Sequence, residues 1–140
     1  MAHCDILKIS DNEIQWLTEE EDFDVGIRWI KERFPQIQLI LLSMGKDGSR
    51  AYCGSVSAEV PTLTFVKTIE TTGAGDTFFA GVLHHVLQWG LKGYTEAELN
   101  QMLSFANAAA SIITTKKGAL RVMPSENEIL DLMEQAEQNL

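Results

Sequence analysis

The residues most suited to chemistry lie in ETTGAGDTFFAG, residues 70–81, where Gly73 and Gly75 bracket an alanine and Asp76 follows at once. Glycine lets backbone N–H groups converge on one space, because no β-carbon blocks their approach. A helix that begins there adds unpaired N–H groups and the positive end of its dipole. Together these groups would form a pocket for a phosphate or for a developing negative charge.

Asp76 has two interpretations at this position. A carboxylate repels anions, so it suits a phosphate pocket only if it takes a proton from a hydroxyl group that attacks the phosphate. Alternatively, Asp76 is the N-cap of the following helix, a common role for aspartate, and the glycines only shape the turn. The local sequence favours neither interpretation.

Two other phosphate-binding motifs are excluded. The P-loop requires Gly-Lys followed by Ser or Thr, and this triplet does not occur in the chain. The dinucleotide-binding fingerprint requires a third glycine where this chain has Phe78. The chain therefore lacks the sequence hallmarks of both of those folds.

A second glycine-containing turn follows a buried strand. The apolar run IQLILLS at residues 37–43 is typical of a parallel strand, and it ends at Ser43, shortly before Gly45 and Gly48. Ligands of open α/β sheets bind beyond the carboxyl ends of such strands. This position favours a nucleotide-contacting turn, although glycine turns after strands are common.

The elements that must position these motifs alternate between strands and helices. DILKI at residues 5–9 predicts a strand, and Ser10 with Glu13 forms a capping box that begins a short helix. Apolar residues at helical spacing predict a second helix that Pro35 ends. This order predicts an α/β fold with a mostly parallel sheet, and the alternating residues around Gly54 add a small β-hairpin.

Composition limits the classes of partner. A length of 140 residues with 45% hydrophobic residues predicts one globular domain. A net charge of −9 with scattered basic residues argues against nucleic acid and anionic membranes as partners. No apolar run reaches the length of about 18 residues that a membrane helix requires.

Two distant cysteines, Cys4 and Cys53, suggest free thiols and a cytoplasmic location.

Several stretches resemble, in the same order, the ribokinase-like (PfkB) family of carbohydrate kinases. They are DILKISDNE, LLSMGKDGS, TTGAGDTFFAG and FANAAASIITTKKGA, and the third is similar to the family's second signature. The pattern ILKIS-x-x-E is most similar to bacterial fructokinases. The resemblance implies a three-layer α/β sandwich, and it implies ATP-dependent phosphorylation of a sugar hydroxyl with Mg²⁺.

The resemblance also implies roles for individual residues. Asp76 matches the catalytic base, while Gly73, Ala74 and Gly75 match the anion hole for the transferred phosphoryl group. The positions that match the nucleotide site, of which the last two line its adenine side, are Ser43, Gly45, Gly48, Asn107 and Gly118.

Cation sites are implied by the same resemblance. Ser10 and Glu13 match the family's Asn-x-x-Glu element, which helps to order Mg²⁺ and phosphate, with Ser in place of Asn. A monovalent cation site, for K⁺, is expected beside the anion hole. Thr72 fits that site, and Glu70 stands where the family usually has aspartate.

The matching stretches all belong to the C-terminal part of the family. The early Gly-Gly motif and the sugar-contacting residues have no counterpart here, so we expect one domain, residues 1–140, without the sugar-binding and lid part. Because positioning of the attacking hydroxyl supplies much of catalysis, we expect nucleotide binding with little or no turnover by this chain alone. A sheet without its remaining strands exposes an edge, and we therefore also expect a homo-oligomer.

Three alternatives remain open. Another member of the family would act on ribose, a nucleoside, 2-keto-3-deoxygluconate or a sugar phosphate instead of fructose. A non-catalytic remnant would only bind nucleotide. A structural α/β domain without a ligand is the least favoured, because six residues occur together: Gly73, Gly75, Asp76, Gly45, Gly48 and Glu13.

Overall fold

The computed structural model describes residues 1–115 and 123–139, which form a sheet with helices on both faces. In chain order its elements are β1 (Ile6–Ser10), α1 (Asp11–Thr18), α2 (Phe23–Arg33), β2 (Leu39–Ser43), β3 (Ser49–Cys53), β4 (Val56–Val60), α3 (Ala74–Trp89), α4 (Glu96–Thr114) and α5 (Glu126–Gln138). A short 3₁₀ helix, Gly45–Asp47, lies between β2 and β3.

Strand β2 explains the layered architecture. Its alternate residues Leu39 and Leu41 pack into a core shared with α3 and α4, whereas Ile40 and Leu42 pack into a core shared with α1 and α2. Successive side chains of a strand point to opposite faces, so a strand covered on both faces must be apolar throughout. The three-layer α/β class that the sequence predicted is confirmed in the described residues.

The strand directions differ in part from the sequence-based prediction. The sheet order is β1-β2-β3-β4, with β1 and β2 parallel and the other two pairs antiparallel, so the described sheet is not mostly parallel. The reason is the length of the connections: a parallel neighbour requires a long crossover, and only α1 and α2 supply one. Short turns join β2, β3 and β4, and they include the predicted hairpin at Gly54.

Local sequence signals account for the helix boundaries. Helix α1 begins at the predicted capping box, in which Ser10 and Glu13 satisfy each other's backbone N–H groups. Helix α2 ends at Arg33, just before Pro35. Helices α3 and α4 approach closely at Gly81, where an added β-carbon would lie 3.0 Å from the α-carbon of Ala106. Within residues 1–115 and 123–139, no helix is long and apolar enough to span a membrane.

Candidate functional site

The carboxyl ends of the first two strands bring two predicted site residues together. In the parallel pair, Ser10 at the end of β1 lies opposite Ser43 at the end of β2. Ser43 in turn lies opposite Ser49, the first residue of β3. The end of the sheet at which β1 and β2 terminate therefore carries a row of hydroxyl groups. Open α/β sheets bind their ligands at this end.

The start of helix α3 resolves the ambiguity about capping. Gly73 is the N-cap, with a positive φ of 82°, and no side chain caps the helix. Asp76 is the third residue of the helix, so the interpretation of Asp76 as the N-cap is wrong. Its side chain is exposed, and it makes no hydrogen bond or ion pair with any described residue.

The backbone N–H groups at this helix start are only partly used. The N–H of Ala74 donates to the carbonyl of Thr71 at 3.1 Å. The N–H groups of Gly75 and Asp76 have no acceptor among the described residues. Unpaired N–H groups at a helix N-terminus favour negative charge nearby, so this turn can accept an anion.

Lys8 is a further neighbour of this turn, and no sequence motif indicates it. A β-carbon added to Gly75 would lie 3.4 Å from Nζ of Lys8, so the ammonium group lies against the first turn of α3. The available signal was a single cation inside the apolar strand DILKI, in a chain whose net charge is −9.

The Ser10–Glu13 pair is a helix cap in the structure. The N–H of Ser10 donates to Oε2 of Glu13 at 2.7 Å, and the N–H of Glu13 donates to Oγ of Ser10 at 3.3 Å. The hydrogen bond from the Ser10 N–H is the main cause that lowers the pKa of Glu13. The Ser10 hydroxyl lowers this pKa as well, and the charge of Lys8 does so to a lesser degree. Glu13 is therefore ionised at neutral pH, and its Oε1 makes no hydrogen bond with a described residue.

The glycine turn after β2 is held against the end of β4. Gly48 has a φ of 99°, and an added β-carbon there would clash with the carbonyl oxygen of Val60 and lie 2.7 Å from the α-carbon of Pro61. Gly45 also has a positive φ, of 52°, but open space surrounds it. Gly48 is thus required by both backbone conformation and close packing.

A cleft of about 630 Å³ adjoins this contact. Val60 and Pro61, the neighbours of Gly48, line one side, and Asn107 of α4 lines it as well. Segment 62–65 and α5 complete its walls. The predicted adenine-side residue Asn107 therefore lines the cleft, whereas the predicted nucleotide turn only contacts its wall, through Gly48 against Val60 and Pro61.

The amide of Asn107 is largely occupied by structural hydrogen bonds. Its Oδ1 accepts from the hydroxyl of Ser49 at 2.8 Å, and its Nδ2 donates to the carbonyls of Val60 and Pro61 at 3.2 and 3.3 Å. An amide has two N–H donors, so only acceptor capacity on Oδ1 remains for a ligand. Asn107 therefore fastens α4 to the start of β3 and to the end of β4.

We expect Asn107→Ala to destabilise the fold by about 2–4 kcal/mol, because it leaves the buried Ser49 hydroxyl and two carbonyl groups without their partner. Urea unfolding measures this change. Asn100→Ala is the matched control, since Asn100 lines the same cleft and makes no side-chain hydrogen bond with described residues. Equal unfolding free energies for the two variants would contradict the structural role.

The predicted cation residues lie just before α3. The N–H groups of Ile69 and Glu70 donate to the carbonyl of Thr114, which holds this segment at the C-terminal end of α4, and Thr72 is exposed. Gly118, the other predicted adenine-side residue, lies outside the described residues. Within the described ranges, no group of three or more His, Cys, Asp and Glu side chains is arranged to hold a metal ion.

Comparison with known proteins identifies the family of this chain. The model of the pfkB family carbohydrate kinases matches residues 1–126. The chain belongs to this family. Fructokinase-1 of Zea mays is 34% identical over 135 residues, which are 95% of this chain and 41% of that protein. The chain thus spans about two fifths of the length of this PfkB relative.

Solved structures of PfkB-type sugar kinases share the fold. Fructokinase from Vibrio cholerae, solved with fructose, ADP and calcium ion, matches with a TM-score of 0.81 and 28% identity over 92% of this chain and 41% of that chain. A double mutant of that enzyme was solved with fructose, ADP and potassium ion. Fructokinase from Xylella fastidiosa with bound ATP has a TM-score of 0.82 and 25% identity, covering 95% and 43% of the two chains.

Proposed function

We propose that this chain carries the nucleotide-binding and phosphoryl-transfer part of an ATP-dependent sugar kinase that acts on fructose. The observation that carries the proposal is the start of α3. There, unpaired N–H groups of Gly75 and Asp76 stand beside an exposed carboxylate that no described residue engages. A structural turn has no need of this combination, whereas phosphoryl transfer to a hydroxyl uses both parts.

The chemistry follows from these groups. The N–H groups at the start of α3 stabilise the negative charge that builds on the transferred phosphoryl group. Asp76 accepts the proton of the sugar hydroxyl as its oxygen attacks in line. The proposal gives the two roles to different atoms of Asp76: its backbone N–H would contribute to the anion hole, and its exposed carboxylate would act as the base. The N–H of Ala74 already donates to the carbonyl of Thr71, so it is not one of the unpaired donors.

The residues near the start of α1 suit a Mg²⁺ ion that would bind together with the nucleotide. Mg²⁺ at such sites is usually held by one or two carboxylates together with substrate phosphates, and it keeps several waters. Glu13 is ionised and has Oε1 free of the helix cap, so it can orient a water of Mg²⁺ near the hydroxyl row of Ser10 and Ser43. The ion would neutralise charge on the phosphates.

A monovalent cation fits the segment from Glu70 to Thr72. The backbone bonds to Thr114 hold this segment at the C-terminal end of α4, where the helix dipole is negative and favours a cation. We propose that K⁺ here would neutralise local negative charge beside the anion hole, with Glu70 and the Thr72 hydroxyl as oxygen ligands.

The proposal assigns nucleotide binding and sugar binding to different parts of the kinase, a separation called here the division of labour. The chain covers 41% of Zea mays fructokinase-1 and 41% of the Vibrio cholerae fructokinase chain, and the sugar-binding part is proposed to lie outside these residues. The predicted self-association and cytoplasmic location stay predictions. Self-association would depend on an outer strand edge of the described sheet, where β1 pairs only with β2 and β4 pairs only with β3.

The experiment that tests the function separates binding from turnover. Calorimetric titration of ATP with Mg²⁺ into the 140-residue chain is expected to show binding, while assays with fructose, ribose, a nucleoside and 2-keto-3-deoxygluconate show little or no product. Absence of ATP binding would contradict the nucleotide site. Turnover of fructose at about 1 s⁻¹ or faster, within the usual range of enzymes, would contradict the division of labour.

A further inference from the structure

We propose that this chain forms a two-fold symmetric dimer, in which β1 pairs antiparallel with β1 of a second copy and the two sheets become one. The proposal names the edge of the sheet and the register that would mediate self-association. It does not depend on the proposed nucleotide site. The observations that carry it are the unpaired backbone groups of β1 and the apolar face of α3 beside them.

The backbone of β1 directs alternate residues towards and away from β2. The carbonyl of Asp5 accepts from the N–H of Leu39, the first residue of β2, at 3.3 Å, so the hydrogen-bonding groups of Asp5 face β2. These groups alternate in direction along a strand. Ile6 and Lys8 therefore direct their N–H and C=O groups outwards, at the edge of the described sheet where β1 has no neighbour.

The outward groups of Ile6 and Lys8 are available to another strand. Their N–H groups have no acceptor among the described residues, and the carbonyl of Ile6 accepts only a weak bond from Sγ of Cys4 at 3.2 Å. Ser10 also faces outwards, but its N–H already donates to Glu13 at 2.7 Å. An antiparallel strand would therefore pair with β1 at Ile6 and Lys8.

These two positions define a self-complementary register. In an antiparallel hydrogen-bonded pair, two opposed residues exchange both of their N–H···O bonds. Ile6 can pair in this way with Lys8 of the second copy while Lys8 pairs with its Ile6, about a two-fold axis at Leu7. A shift of one copy by two residues would place Lys8 opposite Lys8, and like charges directly opposite each other are destabilising.

The outer face of α3 adds apolar surface on the same flank. Helix α3 lies over β1, whose Ile6 packs into the core shared with α3, whereas α4 lies over β3 and β4. Gly81 faces α4. At about 100° per residue, Leu83 and Leu87 lie about 200° and 240° around the helix from Gly81, on the side away from α4. Leu87 is 87% exposed, and a second copy on β1 would cover it.

The opposite edge of the sheet is less suited to pairing. Strand β4 carries Glu59, which forms an ion pair with Arg50 at 2.9 Å, and Pro61 follows the strand. Charged side chains and proline at an edge hinder the addition of another strand. Strand β1 is mostly apolar, and its one charged side chain, Lys8, reaches the start of α3 and leaves the edge clear.

The test measures the mass of the chain in solution by sedimentation and light scattering over a range of concentrations. Lys8→Pro removes an outward N–H that the pairing requires, and β1 keeps its bonds to β2 because a proline is tolerated where the N–H faces solvent. Lys8→Met removes the charge but keeps the N–H. Ser57→Pro is the matched control at an exposed residue of β4. Urea unfolding verifies that each variant is folded.

We expect wild type, Lys8→Met and Ser57→Pro to have twice the chain mass of 15.6 kDa, and Lys8→Pro to be a monomer. Leu87→Gln should weaken the dimer by about 10-fold or more, because each copy loses a leucine from the interface, whereas Leu130→Gln on α5 should not.

Several results would overturn the proposal. They are a monomeric wild type, a dimeric Lys8→Pro, loss of the dimer in Lys8→Met or Ser57→Pro, and equal dimer affinity of Leu87→Gln and wild type. Open-ended polymers would also overturn it, because a two-fold pairing closes on itself.

A disulfide tests the register without a proline, and it decides the question if Lys8→Pro does not fold. In this register Leu7 lies opposite Leu7 in a non-hydrogen-bonded pair, whose α-carbons are about 4.5 Å apart and within disulfide range. Leu7→Cys in a chain with Cys4→Ser should therefore form an intermolecular disulfide under mild oxidation, and Ser57→Cys in the same background should not. Absence of the Leu7→Cys cross-link, or equal cross-linking of both variants, would overturn the proposal.

Discussion

Asp76→Asn is expected to lower sugar phosphorylation by about 10²–10⁴-fold, the usual loss when a general base is removed. The amide has the shape of the carboxylate, but it cannot take the proton of the attacking hydroxyl. ATP affinity should stay close to wild type, because the N–H groups proposed to hold the phosphoryl group belong to the backbone at the start of α3. The fold should lose at most about 1 kcal/mol, the value of an acidic residue in a first helical turn.

This measurement requires a kinase that holds its sugar. We suggest joining the chain to the part of Zea mays fructokinase-1 that precedes the segment it matches, a segment that makes up 41% of that protein. Phosphorylation of fructose and calorimetric ATP binding are then compared for Asp76→Asn and for the control Asp131→Asn, which alters an exposed aspartate of α5. Normal turnover by Asp76→Asn would exclude Asp76 as the base.

Gly48→Ala is expected to destabilise the chain by about 3–5 kcal/mol, the sum of a left-handed backbone and an overpacked contact. The new methyl group would meet the main chain at Val60 and Pro61, and main-chain atoms cannot rotate away as a flexible side chain can. A domain of this size is typically stable by about 5–15 kcal/mol, so a large share of its stability would be lost.

Gly45→Ala is the matched control in the same turn. It also has a positive φ, but no atom lies within 4 Å of the added methyl group, so we expect a loss of only about 1–2 kcal/mol. Urea unfolding of both variants measures the difference. Similar losses would show that the contact with β4 contributes little and that the backbone conformation alone sets the requirement for glycine.

The sequence was sufficient where a local pattern determines a local structure. The capping box at Ser10 and Glu13, the end of α2 before Pro35 and the continuous apolar run of β2 are each set by nearby residues, and the structure confirms all three. The family resemblance likewise reached the correct fold class. Its assignment of Asp76 as the base and of the glycines as the anion hole stays a prediction.

Contacts between distant segments of the chain could not be predicted from local sequence patterns. The bonds of Asn107 to Ser49 and Val60 join residues far apart in the chain, and no periodicity indicates them. The approach of Lys8 to Gly75 depends on how α3 crosses β1. The antiparallel direction of β3 was open to inference, because a short turn after β2 cannot cross over, but the apolar run of β2 suggested a parallel sheet.

Glu13 has two roles, one in the cap of α1 and one proposed at Mg²⁺, and this combination has a consequence for genetics. Glu13→Ala would remove both the cap of α1 and the proposed partner of Mg²⁺, so a loss-of-function phenotype from that allele could not be assigned to either cause. Glutamine retains an oxygen that can accept from the N–H of Ser10 but carries no charge. Glu13→Gln is therefore the separation-of-function allele at this position, and a screen restricted to alanine would mistake a folding defect for a metal-binding defect.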